Sequence, residues 1–210
     1  MQRLGYEIGI GAGHGVVEWE RCCGRGSLPE FNKEYCEILL NVLKRADIKS
    51  VSDFGCGNME TYKEYINWND TGIDYKGYDV NIGCIDGCKK RYPDLKFDTI
   101  ELNELPPSDE CLIIKDVLIH WFDPEIKDFF NKVFNSFEYV IYMHSTTNRG
   151  YKTRVHRHGP NSKYGIDKQY DENFFGYKCV DASLIPSDKI IFEKNIMGDS
   201  MKTFILFKRG

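Results

Sequence analysis

Two aspartates stand at the ends of apolar runs where a ligand can bind. Residues 51–58 read VSDFGCGN, which places Asp53 just before a turn containing Gly55 and Gly57; Asp79 ends the next run, 26 residues later. Two glycines allow a sharp turn and a close approach to a ligand, and the missing GK[ST] excludes a phosphate loop. An acid beside the turn suits a cationic group such as the ammonium of an amino acid, and an acid at the second strand end can accept two ribose hydroxyls. Taken singly, each aspartate is also typical of an ordinary turn or loop start.

A second group of ionisable residues follows another apolar run. Residues 113–121 read IIKDVLIHW, so Asp116 and His120 come directly after a predicted buried strand. Either side chain is a candidate general base, and Trp121 is a candidate apolar wall for a substrate. A partly buried histidine without a chemical role is the alternative for His120. The next predicted strand ends at His144, which is the third candidate base.

The stretch after His144 is basic and aromatic. It lacks clear periodicity over 144–188, which is long for a plain connection and predicts a functional loop region that binds the acceptor. Basic and aromatic side chains alternate there, which suits an anion, a sugar or nucleic acid, although a solvated surface loop is the alternative. The acceptor-binding candidates are Arg154, His156, His158 and Tyr164.

The elements that must position these residues alternate between strand and helix. Apolar periodicity predicts helices over 30–45, 59–68, 83–92 and 123–135, and strands over 48–54, 75–80, 95–100, 111–117, 139–144, 189–193 and 201–208. Such alternation predicts an α/β fold with a doubly wound, mostly parallel seven-stranded sheet and helices on both faces. The short turn between the last two strands predicts an antiparallel C-terminal hairpin at the sheet edge. Ligands of this architecture bind beyond the carboxyl ends of the strands.

Length and composition limit the remaining possibilities. The chain has 210 residues, which suits a single domain, and a formal net charge of −4, so we do not expect a nucleic-acid partner. No apolar stretch approaches the roughly 20 residues that span a bilayer, and the first residues do not read as a signal peptide. We expect a cytoplasmic protein whose eight cysteines are reduced. There is no C-x2-C pair, and we expect no metal site.

Four stretches together resemble the class I, Rossmann-like S-adenosylmethionine-dependent methyltransferases: VSDFGCGN at 51–58, YKGYDV at 75–80, CLIIKDVLIHW at 111–121 and the closing hairpin. The resemblance implies S-adenosyl-L-methionine as cofactor and S-adenosyl-L-homocysteine as product. It also implies that 1–28 contains a lid-like segment over the cofactor. Met59 departs from the family pattern because it stands where a third glycine is usual. The implied cofactor-binding residues are Asp53, Gly55, Cys56 and Gly57 around the methionine part, Asp79 at the ribose, Val80 and Glu101 at the adenine, and Lys115 and Asp116 near the sulfonium.

The resemblance narrows further on four runs: GRGSLPEFNKEY at 24–35, SDFGCGNMETYKEYINW at 52–68, YKGYDV at 75–80 and IIKDVLIHW at 113–121. These runs are similar to small methyltransferases associated with glycan biosynthesis, sometimes joined to glycosyltransferases. That likeness implies O-methylation of a sugar hydroxyl on a glycan or nucleotide sugar, in a larger glycosyltransferase polypeptide or assembly. A sugar hydroxyl needs a base to remove its proton, and we expect His120 to be that base, with His144 and Asp116 as rivals. The alternatives are a methyltransferase acting on a small-molecule carboxylate, a protein or RNA, or a non-catalytic cofactor-binding module.

Overall fold

Nine strands and three α-helices lie in the part of the chain that the structure describes. The computed structural model describes residues 23, 25–101, 104–118, 121, 123–145, 156–158, 175–177, 184–197 and 201–210. The helices are α1 (Lys33–Arg45), α2 (Ile82–Arg91) and α3 (Asp123–Ser136). The strands are β1 (Ser50–Phe54), β2 (Asp74–Asp79), β3 (Lys96–Thr99), β4 (Cys111–Lys115), β5 (Tyr139–Ser145), β6 (His156–His158), β7 (Phe175–Tyr177), β8 (Ile190–Met197) and β9 (Met201–Lys208).

Seven of these strands form one sheet in the order β3-β2-β1-β4-β5-β9-β8. The first five are parallel to one another, β9 runs antiparallel to β5, and β8 pairs antiparallel with β9. The predicted fold class, with its C-terminal hairpin, is therefore confirmed. The order reverses direction between β1 and β4, and this switch point is where ligands bind in doubly wound sheets.

The two faces of the sheet are covered by different helices because side chains alternate along each strand. Odd-numbered positions of β1, β4 and β5 face the side of α1 and α2, whereas even-numbered positions face α3. On β9 the even-numbered Phe204 and Leu206 share the α1 side. Parallel strands buried on both faces read as continuous apolar runs, as in CLII at the start of β4.

Helix α1 presents one apolar stripe to the sheet. Its buried residues recur at helical spacing: Tyr35, Cys36, Ile38, Leu39, Val42 and Leu43. The helix begins at Lys33 and not at residue 30 because a 3-10 turn, Pro29–Phe31, precedes it. It ends where Asp47 takes a left-handed backbone with a φ of 57°.

The helix predicted over 59–68 is wrong. Gly55, Gly57 and Met59 have φ values of 85°, 57° and 67°, and a right-handed helix cannot pass through such residues. Irregular turns follow instead, with isolated bonds such as the Lys63 N–H to the Met59 carbonyl at 3.2 Å. The segment ends in a short 3-10 helix, Trp68–Asp70. Met59 thus has the left-handed backbone conformation that favours glycine.

β6 and β7 form a separate two-stranded antiparallel sheet, and the rest of the loop region up to residue 183 lies outside the described residues. Cys84 is disulfide-bonded, so the expectation that every cysteine is reduced is wrong there. Among the described residues, Cys23, Cys36, Cys56, Cys88 and Cys111 are not disulfide-bonded. No helix in the described part of the chain has the length and apolarity that crossing a membrane requires.

Gly77 on β2 is packed so closely that a side chain does not fit. A Cβ there would lie 2.6 Å from Phe97 Cδ1 and 2.9 Å from Cys56 Sγ. We expect Gly77→Ala to lower the free energy of unfolding by about 1–3 kcal/mol through overpacking, measured by urea denaturation. Gly72→Asn is the control, because nothing lies within 4 Å of its Cβ position and asparagine tolerates its φ of 73°. A Gly77→Ala variant as stable as the wild type would contradict this packing.

Candidate functional site

The carboxyl ends of three adjacent strands bring the predicted acidic residues to one edge of the sheet. β1 lies between β2 and β4, and Asp53 stands opposite Gly77 on one side and Ile113 on the other. Asp79 is the last residue of β2, and Asp116 follows the last residue of β4. The sequence-based grouping of Asp53, Asp79, Lys115 and Asp116 therefore corresponds to one region of the molecule.

Asp53 is a buried carboxylate held by two tyrosines. Its Oδ2 accepts hydrogen bonds from the Tyr62 hydroxyl at 2.9 Å and the Tyr75 hydroxyl at 2.7 Å, and only 2% of the residue is exposed. Burial raises the pKa of Asp53 to about 6, although the two hydroxyls oppose the shift by stabilising the ionised form. Both tyrosines pack around Trp68, whose ring stacks on Tyr75 at 4.4 Å. Asp53 is thus ionised near neutral pH, and the two tyrosine hydroxyls fix the position of its carboxylate.

Asp79 connects the end of β2 to the glycine turn after β1. Its Oδ2 accepts the Gly57 N–H at 2.9 Å and its Oδ1 accepts the Asn81 N–H at 2.9 Å. Burial raises the pKa of Asp79, and the backbone N–H groups of Asn81, Gly57 and Val80 oppose that rise. Each carboxylate oxygen has a second lone pair, so both oxygens remain able to accept a ligand hydroxyl.

The glycine turn makes its close contacts with protein groups. A Cβ on Gly55 would lie 2.3 Å from Val117 Cγ2, and a Cβ on Gly57 would lie 2.3 Å from Cys23 Sγ. Cys23 also accepts the Asn58 N–H at 3.2 Å, and burial raises the pKa of its thiol to about 12, so the thiol stays protonated. Glycine is therefore needed at these positions both for their left-handed backbone and because protein side chains occupy the space that a Cβ would fill.

The Cys56 side chain points into the protein, away from the carboxyl edge of the sheet. Its N–H donates to the Tyr78 carbonyl at 3.0 Å, as the Gly55 N–H does at 2.8 Å. Its side chain is buried against Gly77. The prediction that Cys56 binds the cofactor is therefore not supported by its side-chain position: it packs beneath the turn.

A buried ion cluster lies at the end of β4. Lys115 Nζ lies 3.0 Å from Asp116 Oδ2, and Lys202 Nζ from β9 binds the same oxygen. The lysine side chains are only 6% and 4% exposed. Burial raises the pKa of Asp116, but Lys115 and Lys202 outweigh it and hold that pKa below the usual value. Asp116 has a left-handed backbone with a φ of 56°.

Lys115 also connects this cluster to the N-terminal part of the described chain. Its Nζ donates to the Gly26 carbonyl at 3.1 Å and lies 5.9 Å from the centroid of the Tyr35 ring. Asn32 donates to the Gly26 and Leu28 carbonyls at 2.9 and 2.7 Å. These bonds hold the 3-10 turn Arg25–Ser27 beside the end of β4.

The remaining predicted cofactor residues lie around Asp79. Val80 follows it directly and is partly buried, while Glu101 is exposed beyond β3. Ile82, the first residue of α2, is 67% exposed although it is apolar. Sequence analysis did not select it, but its signal is an apolar side chain at the start of a helix just beyond the strand-end acid.

Two predicted substrate or base residues are buried. Trp121 is 4% exposed and packs edge-on against Phe54 and Phe129 in the core under α3, so it does not provide the predicted apolar wall. His144 is 3% exposed, and its ring stacks on Tyr142 with centroids 4.8 Å apart. His120, Arg154 and Tyr164 lie outside the described residues. His156 and His158 belong to β6, whose side chains the structure does not describe.

Sequence analysis missed three side chains that shape the site: Tyr62, Tyr75 and Lys202. The signal for Tyr75 was its position at even spacing before Asp79 on β2, where Tyr75 and Gly77 are the buried residues. The signal for Lys202 was a charge inside the apolar run of β9.

The site provides three carboxylates and one cluster of two lysines. Asp116 Oδ1 is buried and has no hydrogen-bond partner within the described ranges. Those same ranges contain no group of three or more histidine, cysteine, aspartate or glutamate residues able to hold a metal ion. The arrangement can accept hydrogen bonds from a ligand that carries an ammonium and vicinal hydroxyl groups.

Solved structures with a similar fold include methyltransferases. No family model matches the sequence, and no curated protein matches it. Among solved structures, magnesium protoporphyrin IX methyltransferase from Synechocystis PCC 6803 with bound SAH is similar, with a TM-score of 0.63 and 14% identity over 94% of this chain and 90% of that chain. The methyltransferase domain of bacterial CtHen1 has a TM-score of 0.57 and 14% identity, with 85% and 99% covered. Streptomyces venezuelae DesVI has a TM-score of 0.56 and 10% identity, with 86% and 93% covered. At these identities the likeness concerns the fold.

The raised pKa of Asp53 predicts a pH dependence of stability. The folded protein holds the proton up to a pH of about 6, whereas an unfolded aspartate loses it near 3.8. The folded state therefore binds more protons in this window, and the free energy of unfolding falls as pH rises from about 4 to 6, by up to about 3 kcal/mol. Urea denaturation between pH 4 and 7 measures this fall. Asp53→Asn should remove this part of the slope, and parallel curves for variant and wild type would contradict the assignment.

Proposed function

We propose that the chain is an S-adenosylmethionine-dependent methyltransferase. The observation that carries this proposal is the convergence of Asp53, Asp79 and Asp116 at the carboxyl edge of three adjacent parallel strands. The topology of the sheet, shared with magnesium protoporphyrin IX methyltransferase, supports the same function. A cofactor that is cationic at its ammonium and sulfonium suits an edge rich in carboxylates.

The residues present fit the parts of this cofactor. Asp79 has a free lone pair on each oxygen for the two ribose hydroxyls, and the exposed Ile82 with Val80 offers apolar surface for the adenine. Glu101 at the end of β3 is our candidate for the adenine edge. Asp116 Oδ1 is a buried acceptor that still needs a donor, and the ammonium of the methionine part can supply one. Asp53 adds negative charge beneath the turn.

The bound cofactor supplies a methyl group on a sulfonium, which an acceptor attacks in line as the sulfur takes the electron pair of the breaking bond. Because the sulfur is a good leaving group, the chain mainly has to position the acceptor. A neutral acceptor hydroxyl also needs a base for its proton. Asp116 is a weak base because two lysines hold its pKa low, and His144 is buried in a ring stack. This leaves His120 as the base that we propose.

The acceptor that we propose is a sugar hydroxyl of a glycan or nucleotide sugar. Support comes from the likeness of 24–35 and 113–121 to small glycan-associated methyltransferases, and from the aromatic and basic residues of 144–188. We propose that this segment binds the acceptor within the single domain and that part of 1–28 acts as the lid. A small-molecule carboxylate, a protein and RNA are the competing acceptors.

The cofactor assignment predicts the effect of removing the Asp79 carboxylate. We expect Asp79→Ala to raise the Kd for S-adenosylhomocysteine roughly 10- to 100-fold, because hydrogen bonds to a charged group are lost. Isothermal titration calorimetry measures this change. Asp74→Asn is the matched control at the opposite end of β2, where Asp74 pairs with Lys96. Unchanged affinity in Asp79→Ala would contradict the proposed ribose contact.

The acceptor proposal predicts methylated sugars in a methyl-transfer assay. Formation of S-adenosylhomocysteine should depend on a carbohydrate acceptor, with the methylated hydroxyl mapped by NMR. His120→Ala should leave cofactor binding within about 3-fold and lower turnover by roughly 100-fold or more, as expected for loss of a general base. Full turnover in that variant would exclude His120 as the base, and activity only on carboxylates, proteins or RNA would exclude the sugar acceptor.

A further inference from the structure

One carboxylate oxygen in the site accepts two buried ammonium groups while the other accepts nothing. Asp116 Oδ2 binds Lys115 Nζ at 3.0 Å and Lys202 Nζ, and Oδ1 is buried without a hydrogen-bond partner among the described residues. Leaving a buried acceptor unpaired is costly, so an ordered water or a ligand is expected to pair with it. Oδ1 is therefore able to accept a hydrogen bond from a bound molecule.

The two lysines reach Asp116 from different parts of the sheet. Lys115 is its neighbour on β4 and is also bound to the Gly26 carbonyl. Lys202 comes from β9, where it stands opposite Ser145 of β5 and Ile196 of β8. β4 and β9 flank β5, and the Asp116 N–H donates to the Met143 carbonyl of β5 at 2.9 Å. The carboxylate is therefore fixed at its backbone and at one oxygen.

Lys202 differs from the other lysines of the C-terminal hairpin. Its side chain is 4% exposed, whereas those of Lys194 and Lys208 are 46% and 47% exposed and pair with surface glutamates. Burying a lysine is unfavourable unless its charge is matched. A lysine that only stabilises the surface of the fold does not need to be buried. A buried lysine is expected where a carboxylate must be held in one position at a binding site.

We propose that Lys202 is a positioning residue of the cofactor site: from the hairpin it clamps Oδ2 of Asp116 and leaves Oδ1 for the ammonium of the cofactor's methionine part. This inference rests on the proposed function. The clamp also determines the charge of Asp116, because burial alone favours the neutral acid. The titratable and charged groups around Asp116 are Lys115, Lys202 and the Tyr35 hydroxyl of α1, and His144 follows Met143 on β5.

The test compares Lys202→Met, Lys202→Arg and the exposed control Lys208→Met. The Kd for S-adenosylhomocysteine is measured by calorimetry at pH 8 and pH 5.5. In Lys202→Met the pKa of Asp116 rises, so the weakening of binding between the two pH values should be at least about 10-fold greater than in the wild type. Lys202→Arg should restore most of the wild-type pH dependence, and Lys208→Met should match the wild type. Asp53 is present in all of these proteins, so its contribution to the pH dependence cancels in the comparison.

A double-mutant cycle separates positioning from a merely structural role. In an Asp116→Asn background, Lys202→Met should change the Kd by less than about 2-fold, because its effect passes through the carboxylate. Additive effects, or a loss of affinity in Lys202→Met that is equal at both pH values, would overturn the inference. The same cycle is measured without ligand, as the pH dependence of urea unfolding, where Lys202→Met should again act only when Asp116 is present.

These measurements also separate the inference from the function on which it rests. Wild-type protein that binds neither S-adenosylmethionine nor S-adenosylhomocysteine would refute the proposed function and the ligand part of the inference, whatever the unfolding data show. If the wild type binds S-adenosylhomocysteine but the cycle shows no coupling between Lys202 and Asp116, the inference is refuted and the proposed function is not. If Lys202→Met does not fold, the cycle is measured with Lys202→Arg and Lys202→Gln in the Asp116→Asn background. These variants give the same comparison, because the neutral side chain at position 116 leaves no buried carboxylate without its lysine partner.

Discussion

Two tyrosine hydroxyls donate to one buried oxygen of Asp53, and the neighbouring structure is arranged around that contact. A buried carboxylate is tolerated only with hydrogen bonds, and here the donors come from the turns after β1 and from β2. The contact thus ties the irregular turns after β1 to the paired strands β1 and β2. It explains how residues 55–66 are held in place without a helix, with Trp68 packed against both tyrosines. The glycine turn, residues 55–57, follows Asp53 almost directly in the chain.

The other two carboxylates of the site are held in different ways. Asp79 is bound by backbone N–H groups of the two turns that meet at it, and Asp116 is bound by two lysines. Alternation along the strands places Asp53, Lys115 and Lys202 on the α1 side of the sheet, where Tyr35 closes the cluster. Protein donors therefore orient each acid before any ligand arrives, which lowers the cost of organising the site on binding.

The described residues explain how a cofactor would be held at the carboxyl edge, but they do not select an acceptor. Proteins of this fold in the comparisons include a porphyrin methyltransferase and the methyltransferase domain of CtHen1, so the sheet itself does not select the acceptor. In folds of this kind specificity resides in connections at the carboxyl edge. Our proposal assigns the acceptor to His120 and the 144–188 segment.

Local sequence patterns were enough to predict the seven strands of the main sheet, the helices α1, α2 and α3, the doubly wound class, and the positions of Asp53, Asp79, Lys115 and Asp116 at the carboxyl edge. Periodicity is a local property, and parallel topology then places strand-end residues together without further information. Three features became visible in the folded structure alone: Trp121 belongs to the core, 59–68 is not a helix, and Lys202 reaches Asp116 across 86 positions of sequence. These outcomes depend on long-range packing and on backbone angles imposed by neighbours. A local pattern cannot express either, because the partner that decides each conformation lies on a different element.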